Sequence, residues 1–99
     1  MAYRDNIRVI YEVLTAIKNQ ANCNISQIAR IANIAHYSLD DRLAILKKSD
    51  IVVESTGMSN DSRGSRPMRI FTLTHKGQQF QTRLSILFDD LQQMGIATN

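Results

Sequence analysis

The segment from residue 51 to residue 77 constrains the fold of this 99-residue chain more than any other part. Two strand-like runs, residues 51–56 and 68–74, flank a polar loop at residues 57–67. The loop carries Arg63 and Arg66. A two-stranded ribbon is only marginally stable in water by itself. The remainder of the chain must therefore supply helices that pack against this ribbon.

Positive charge is concentrated on the ribbon and the residues that follow it. The whole chain has a formal net charge of +3. Residues 57–83 contain five basic side chains and one acidic side chain, whereas the last sixteen residues contain only Asp89 and Asp90 as charged groups. The distribution predicts a local positive surface suited to a polyanion rather than a globally basic protein.

Length and cysteine content bound the remaining possibilities. A chain of this size forms a single domain, here residues 1–99. Cys23 is the only cysteine, which excludes a disulfide within the chain and argues against a cysteine-based zinc site. We interpret Cys23 as an inert thiol, with a redox switch or an inter-subunit disulfide as the alternatives. No run approaches the roughly 20 apolar residues of a membrane span, and no signal peptide is recognisable, so we expect a cytoplasmic location.

The first predicted helix, residues 4–19, is apolar on two sides. Apolar residues recur at helical spacing in two stripes. The first stripe comprises Ile7, Ile10, Tyr11, Leu14 and Ile17, and the second comprises Val9, Val13 and Ala16. An apolar surface this wide predicts that more than one neighbour covers the helix. The second neighbour could be another subunit.

Two shorter helices follow, joined by a turn at residues 33–37. Asn24 is predicted to cap residues 25–32 together with Gln27, three positions later, and Ile28 and Ile31 are predicted to be buried. Ser38 is the predicted cap of the next helix, with Asp40 and Asp41 in its first turn, where they would favour the positive end of the helix dipole. The core-facing residues of that helix are Leu39, Leu43 and Leu46.

The last predicted helix, residues 74–95, begins with Thr74 as its cap and ends near Met94, with Gly95 as the stop. Apolar residues recur along it at spacings of four and three, which is typical of a coiled coil; they are Phe80, Leu84, Leu87, Leu91 and Met94. The whole helix could pack on its own domain. Alternatively, Phe80 and Leu84 do so, while Leu87, Phe88, Leu91 and Met94 project towards a partner. We predict a dimer interface formed by Leu84, Leu87, Phe88, Leu91 and Met94.

The order of elements predicts a DNA-binding arrangement. Two helices joined by a short turn form a helix-turn-helix, whose second helix has the size that enters the major groove. The predicted contacts fall into three groups. Those for base edges are His36, Tyr37, Ser38 and Arg42; those for phosphates are Ser26, Gln27, Arg30, Lys47 and Lys48; those on the ribbon are Arg63, Arg66 and Arg69. Arginines at the ribbon tip suit a narrow minor groove or a row of phosphates.

Each of these residues also has a structural interpretation. Lys47, Lys48, Arg63 and Arg66 could be solvated surface charges. His36 could be a turn residue, and Tyr37 could pack over the turn. The acidic pair Asp40 and Asp41 suits a helix cap better than a DNA interface.

Residues 32–39, 43–46, 51–53 and 71–77 resemble the winged-helix family. More narrowly, they are similar to small archaeal and archaeal-virus winged-helix proteins. The closing Leu-Thr-x-Lys-Gly pattern, residues 73–77, is a frequent signature of the junction between wing and final helix. The resemblance implies a mainly α fold with a β-hairpin wing (α+β), a final helix that pairs two subunits, and DNA binding by the third helix and the wing. The chain departs from the family in having Ser49 and Asp50 where glycine is common before the first strand.

These features together predict a homodimeric regulator of transcription that binds double-stranded DNA. The alternatives are a winged-helix protein-interaction module and a non-specific architectural binder of the nucleoid type; the short final helix favours the regulator over the latter. The sequence predicts neither an enzyme, a cofactor nor a metal site. His36 and His75 lie in different predicted elements, a glycine-rich phosphate loop is missing, and adjacent aspartates on a helix point in different directions.

Overall fold

The structure is a computed structural model that describes residues 6–20, 23–61 and 64–95. In chain order the elements are α1 (Asn6–Asn19), β1 (Cys23–Asn24), α2 (Ile25–Ala32), α3 (His36–Lys48), β2 (Val52–Asp61), β3 (Gly64–Leu73) and α4 (His75–Gln93). The strands form one antiparallel sheet in the order β1-β3-β2. The predicted mainly α architecture with a β-hairpin is confirmed. The predicted start of the first helix at residue 4 lies outside the described residues.

Helix α1 lies at the centre of the core. Most of its two apolar stripes is covered within the chain, because α1 packs against α2, α4 and β3, and Val13 and Leu14 have no exposed surface, although Ile7 is 51% exposed. The second neighbour that the sequence predicts is therefore part of the same chain. Ile31 is an exception to the predicted core, since 47% of it is exposed. The buried face of α2 is centred on Ile28, Ala29 and Ala32, and Ile31 lies to one side of that face.

Both hydrogen bonds of the predicted cap of α2 are present, so this prediction is confirmed. The backbone nitrogen of Gln27 donates to the side-chain oxygen of Asn24 at 2.9 Å, and the backbone nitrogen of Asn24 donates to Oε1 of Gln27 at 3.1 Å. Each side chain thus satisfies a backbone N–H that the first helical turn leaves without a partner. At the other end, Asn33 adopts the left-handed conformation, with φ of 54°.

The predicted start of the third helix is wrong. Helix α3 begins at His36, and the capping residue is Ala35, which makes no side-chain cap hydrogen bond. The turn is shorter than predicted because Asn33 reverses the chain at once and the backbone nitrogen of Ile34 donates to Ala29 O at 3.0 Å. Ser38 therefore lies inside the helix. Asp40 and Asp41 lie beyond the first turn, so they do not act as dipole caps.

The predicted loop at residues 57–67 is also wrong, because most of it belongs to the sheet. The β2–β3 pairing runs without a break from Val52 opposite Leu73 to Asp61 opposite Gly64. We call these two strands the wing. The outer part of the wing, residues 57–61 and 64–68, lacks alternating apolar residues, so it carries no sequence signal for a strand. Pro67 is tolerated there because β1 pairs only with Ile70 and Phe71, which leaves β3 a single neighbour at Pro67.

A close joint connects α3, the wing and α4; it comprises residues 49–51 and 74–77. Thr74 is confirmed as the cap of α4, since its hydroxyl accepts from the backbone nitrogen of Gly77 at 2.9 Å. The same hydroxyl donates to Asp50 O at 2.7 Å. Asp50 has φ of 62°, a conformation that favours glycine. A Cβ on Gly77 would lie 2.0 Å from Ile51 O, so only glycine fits this position of the Leu-Thr-x-Lys-Gly pattern.

Candidate nucleic-acid interface

Helix α3 presents one exposed row along its length. The residues of this row follow each other at spacings of four, three and four, and they are Tyr37, Asp41, Ala44 and Lys48. Tyr37 is 79% exposed, so it does not pack over the preceding turn. With 13 residues the helix is about 20 Å long. The row therefore offers an aromatic group at one end and an ammonium group at the other.

The predicted base-contacting group is divided between two sides of α3. His36 and Tyr37 are exposed, whereas Ser38 and Arg42 lie half-buried on another flank. Arg42 Nη1 donates to the Ser38 backbone oxygen at 3.3 Å and also to the Ser38 hydroxyl. Arg42 Nε is buried and has no partner among the described residues. Ser38 and Arg42 thus form a pair along the helix, and only His36 and Tyr37 are freely presented.

Helix α2 supplies two exposed polar residues and one that is already engaged. Ser26 and Arg30 are exposed and lie four residues apart, which places them on one side of the helix. Within the described part of the chain, the side chain of Arg30 has neither a hydrogen-bond partner nor an ion-pair partner. The side-chain oxygen of Gln27 is occupied by the cap of α2. Its predicted role as a phosphate contact therefore competes with a structural one.

Four charged side chains form a cluster between α3 and the base of the wing. We call this cluster the clamp; its members are Asp40, Lys47, Glu54 and Arg69. The carboxylate of Glu54 accepts hydrogen bonds from Lys47 Nζ at 2.7 Å and from two nitrogens of Arg69, Nε at 2.9 Å and Nη2 at 3.1 Å. Arg69 Nη1 reaches Asp40 Oδ1 at 3.0 Å. The clamp joins side chains from α3, β2 and β3.

Hydrogen bonds within the clamp fix its charge state. Donation from Arg69, and then from Lys47, lowers the pKa of Glu54 from its usual 4.5 to about 2. The same carboxylate, followed by that of Asp40, raises the pKa of Arg69. Two of the cations predicted to contact DNA, Lys47 and Arg69, are therefore already neutralised by carboxylates. Lys48 is exposed and, among the described residues, has no such partner.

Two further contacts, Arg63 and Arg66, are predicted from the sequence between residues 57 and 67. Arg63 lies outside the described residues. Arg66 lies in β3 opposite Ser59, and its side chain lies outside the described part of the structure. Their contribution to a positive wing stays a prediction from the sequence.

The predicted dimer residues of α4 fall into a buried group and an exposed group. Leu84 and Phe88 are buried in the chain's own core. Phe88 packs against Tyr11, with ring centroids 4.9 Å apart, so its predicted projection towards a partner is wrong. Leu91 is half-buried, whereas Leu87 and Met94 are 46% and 70% exposed. Ile86 is 56% exposed on the same side, although the coiled-coil spacing does not include it.

Other kinds of site find little support in the described residues. They contain no group of three or more histidine, cysteine, aspartate or glutamate side chains that could hold a metal ion. They also contain no helix long and apolar enough to cross a membrane. Cys23 has no exposed surface, and burial raises the pKa of its thiol, which makes it a poor nucleophile. This favours the interpretation of Cys23 as an inert core residue.

Comparison with known proteins identifies the fold. No protein-family model and no curated protein sequence matches the chain. Among solved structures, the DNA-binding protein Sso10a-2 from Sulfolobus solfataricus has a TM-score of 0.68 at 15% identity, covering 92% of this chain and 85% of its own. The transcriptional regulator PcaV from Streptomyces coelicolor has a TM-score of 0.70 at 15% identity, covering 90% of this chain and 60% of its own.

A third structure contains nucleic acid. The transcriptional repressor CouR, bound to a 23-mer DNA duplex, has a TM-score of 0.61 at 22% identity. The match covers 78% of this chain, and the chain spans about half (51%) of the length of CouR. At these identities the likeness establishes the fold, which is a winged helix. These three neighbours are transcription regulators or a DNA-binding protein rather than enzymes.

Proposed function

We propose that this chain is a homodimeric transcription regulator that binds double-stranded DNA, with α3 in the major groove and the wing on the adjacent backbone or minor groove. The observation that carries the proposal is the position of the exposed row of α3, from Tyr37 to Lys48, directly beside the base of the wing. Protein residues that read base edges need this exposure, and Arg63 and Arg66 supply charge for phosphates. A cytoplasmic location fits this function.

Salt dependence of binding tests the electrostatic part of the proposal. Fluorescence anisotropy with a mixed-sequence duplex should show a marked loss of affinity between about 50 and 200 mM salt, because phosphate contacts release counterions. Lys48→Gln and Arg30→Gln should each lower the slope of log K against log salt by about 1. Lys18→Gln, the same change of charge on α1, serves as the control and should leave the slope unaltered. An affinity that does not change with salt concentration would contradict the proposal.

Selection from a random duplex pool tests the assignment of α3 to base edges. We expect Tyr37→Ala to change the preferred sequence, because Tyr37 lies at the start of α3 and is 79% exposed. Reversing Arg63 and Arg66 to glutamate should instead weaken binding to all sequences alike, because phosphates carry no sequence information. If both changes had the same effect on sequence preference, this division of roles would be wrong.

The dimer is proposed to form through the outward face of α4. Helical spacing places six residues on this face, and they are Gln79, Arg83, Ile86, Leu87, Asp90 and Met94. An antiparallel pair of α4 helices with a two-fold axis between Ile86 and Leu87 would set Arg83 opposite Asp90 of the partner subunit. A two-fold interface requires such self-complementarity. Of the apolar residues predicted to form the dimer interface, Leu87 and Met94 lie on this face, whereas Leu91 is half-buried against the chain's own core.

Charge reversal tests both the surface and the register. Arg83→Asp alone and Asp90→Arg alone should each weaken the dimer, because like charges would face each other at two symmetric positions. The double variant should restore the dimer, since the pairs are exchanged rather than lost. Leu87→Asp should give monomers. Light scattering coupled to size-exclusion chromatography measures the mass; a dimer unaffected by all four changes would place the interface elsewhere.

A protein-interaction module is the second candidate, because the exposed row of α3 contains Asp41 and the neighbouring Ile45 is 63% exposed. A carboxylate and an aliphatic group suit a protein surface better than a phosphate row. Absence of measurable affinity for mixed-sequence DNA at about 50 mM salt would favour this candidate. An architectural role of the nucleoid type, with DNA binding that does not depend on sequence, is the third candidate. Cooperative coating of long DNA without a selected sequence would favour it.

A further inference from the structure

Arg69 is the most fully engaged cation among the described residues. All three nitrogens of its guanidinium group make ion-pair contacts, two of them to Glu54 as a fork and the third to Asp40. Its central carbon also lies 5.3 Å from the centroid of the Phe71 ring, and Phe71 has no exposed surface. A guanidinium group held by a fork, by a second carboxylate and by a core aromatic ring has one defined position.

The clamp attaches α3 to the wing at two points. Asp40 reaches the wing through Arg69, and Lys47 reaches it through Glu54. These two residues of α3 are seven positions apart, which corresponds to about 10 Å along the helix axis. One attachment would leave the wing free to pivot against α3, whereas two separated attachments fix the angle between them.

The charges of the clamp argue against a direct contact between Arg69 and DNA. Glu54 and Asp40 already hold three of the five N–H donors of the Arg69 guanidinium group. A phosphate approaching the remaining donors would lie beside these two carboxylates, and their repulsion would oppose the contact. Glu54 is ionised at any physiological pH, so protonation does not relieve this repulsion.

We infer that Arg69 is a positioning residue, which holds the wing at a fixed angle to α3 by means of Glu54 and Asp40, and that it does not contact DNA phosphate. The inference rests on the proposed DNA binding. It removes Arg69 from the predicted contacts and assigns the affinity to Arg30, Lys48 and the outer wing. A fixed angle sets the spacing between the groove that α3 enters and the backbone that the wing meets.

Substitution of Arg69 separates a positioning role from a phosphate contact. Arg69→Gln should weaken binding several-fold yet change the salt slope by less than about 0.5, whereas Lys48→Gln should lower the slope by about 1. Arg69→Lys keeps the charge but cannot form the fork, so it should weaken binding as Arg69→Gln does. A salt slope lowered by about 1 in Arg69→Gln, or normal affinity in either variant, would overturn the inference.

Substitution of Glu54 provides a second test of the positioning role. The variant is Glu54→Gln. Because it breaks the same clamp, it should weaken binding, and the double variant with Arg69→Gln should lose no more than either single variant. If Glu54 instead competes with phosphate for Lys47 and Arg69, Glu54→Gln would bind DNA more tightly with a steeper salt slope. That outcome would overturn the inference.

A measurement without DNA distinguishes failure of the inference from failure of the proposed function. Spin labels on cysteines introduced at Ala44 and Met58, both exposed, report the distance between α3 and the wing by double electron–electron resonance. The native Cys23 is buried and should not react. The distance distribution should be narrow in the unsubstituted protein and broad in Arg69→Gln. An equally narrow distribution in both would overturn the inference even if DNA binds, whereas lack of DNA binding by the unsubstituted protein would contradict the proposed function alone.

Discussion

The joint and the clamp both connect α3 to the wing, but they do so by different physical means. In the joint, backbone groups of residues 49–51 meet the start of α4 through hydrogen bonds and close packing at Gly77. In the clamp, four side chains meet at the surface; those of Lys47 and Arg69 are 41% and 43% exposed. The joint therefore stabilises the fold, and the clamp sets an angle within it.

The difference follows from the dielectric environment and from chain entropy. Exposed ion pairs contribute about 0.2–1 kcal/mol each, because water screens them and long side chains must be ordered. A steric conflict at a close backbone approach costs more, since the interior cannot expand freely. Substitutions in the joint should thus change the free energy of unfolding, whereas those in the clamp should mainly change DNA binding. Three predictions test this contrast.

The largest effect is expected for Gly77→Ala. The added Cβ would lie 2.0 Å from Ile51 O, so α4 must move away from the joint. We expect a loss of about 3 kcal/mol in the free energy of unfolding, at the upper end of typical overpacking costs. Urea titration measures this as a lower midpoint with an unchanged m-value. Gln78→Ala, an exposed neighbour in the same turn, is the control and should change stability by less than about 0.5 kcal/mol.

A smaller effect is expected for Thr74→Ala. The substitution removes both the acceptor for the Gly77 backbone nitrogen and the donor to Asp50 O. Loss of an N-cap side chain costs about 1 kcal/mol, and the second hydrogen bond brings the expected loss to about 2 kcal/mol. Thr74→Ser retains the hydroxyl and should keep most of the stability. If the serine variant were as unstable as the alanine variant, packing of the methyl group would matter more than capping.

The sequence predicted the helix caps better than the clamp because the signals of a cap are local. Thr74 and Gly77 lie within four residues of each other, and the cap of α2 by Asn24 and Gln27 is equally local, whereas the close approach of Gly77 to Ile51 spans 26 residues and was not predicted. The clamp depends on Arg69 meeting both Glu54 and Asp40, which lies 29 residues away in the sequence. Counting charges along the chain identified these side chains as cations and anions but could not show that they neutralise each other.

Long-range pairing also explains the other differences between sequence and structure. Strand β1 has two residues and exists because Cys23 lies opposite Phe71. The outer part of the wing is paired because β2 and β3 continue outward the register that the apolar residues near the core establish. On α4, the spacing of apolar residues could not separate those that the core buries, such as Phe88, from those that it leaves exposed, such as Ile86.

The smallest effect is expected for Glu54→Gln, and it should depend on pH. In the folded chain the pKa of Glu54 is about 2, below its usual 4.5, so between these values the folded state binds fewer protons at this group than the unfolded state. The stabilisation is therefore fully present above pH 4.5 and is lost as the pH falls towards 2. Because the clamp is exposed, we expect it to amount to less than about 1 kcal/mol at neutral pH. Urea titrations of both proteins at pH 7 and near pH 2.5 measure the difference, which should shrink at the lower pH. A difference that stayed constant with pH would mean that the charge of Glu54 contributes nothing, and a loss at neutral pH as large as that of Gly77→Ala would remove the contrast between clamp and joint.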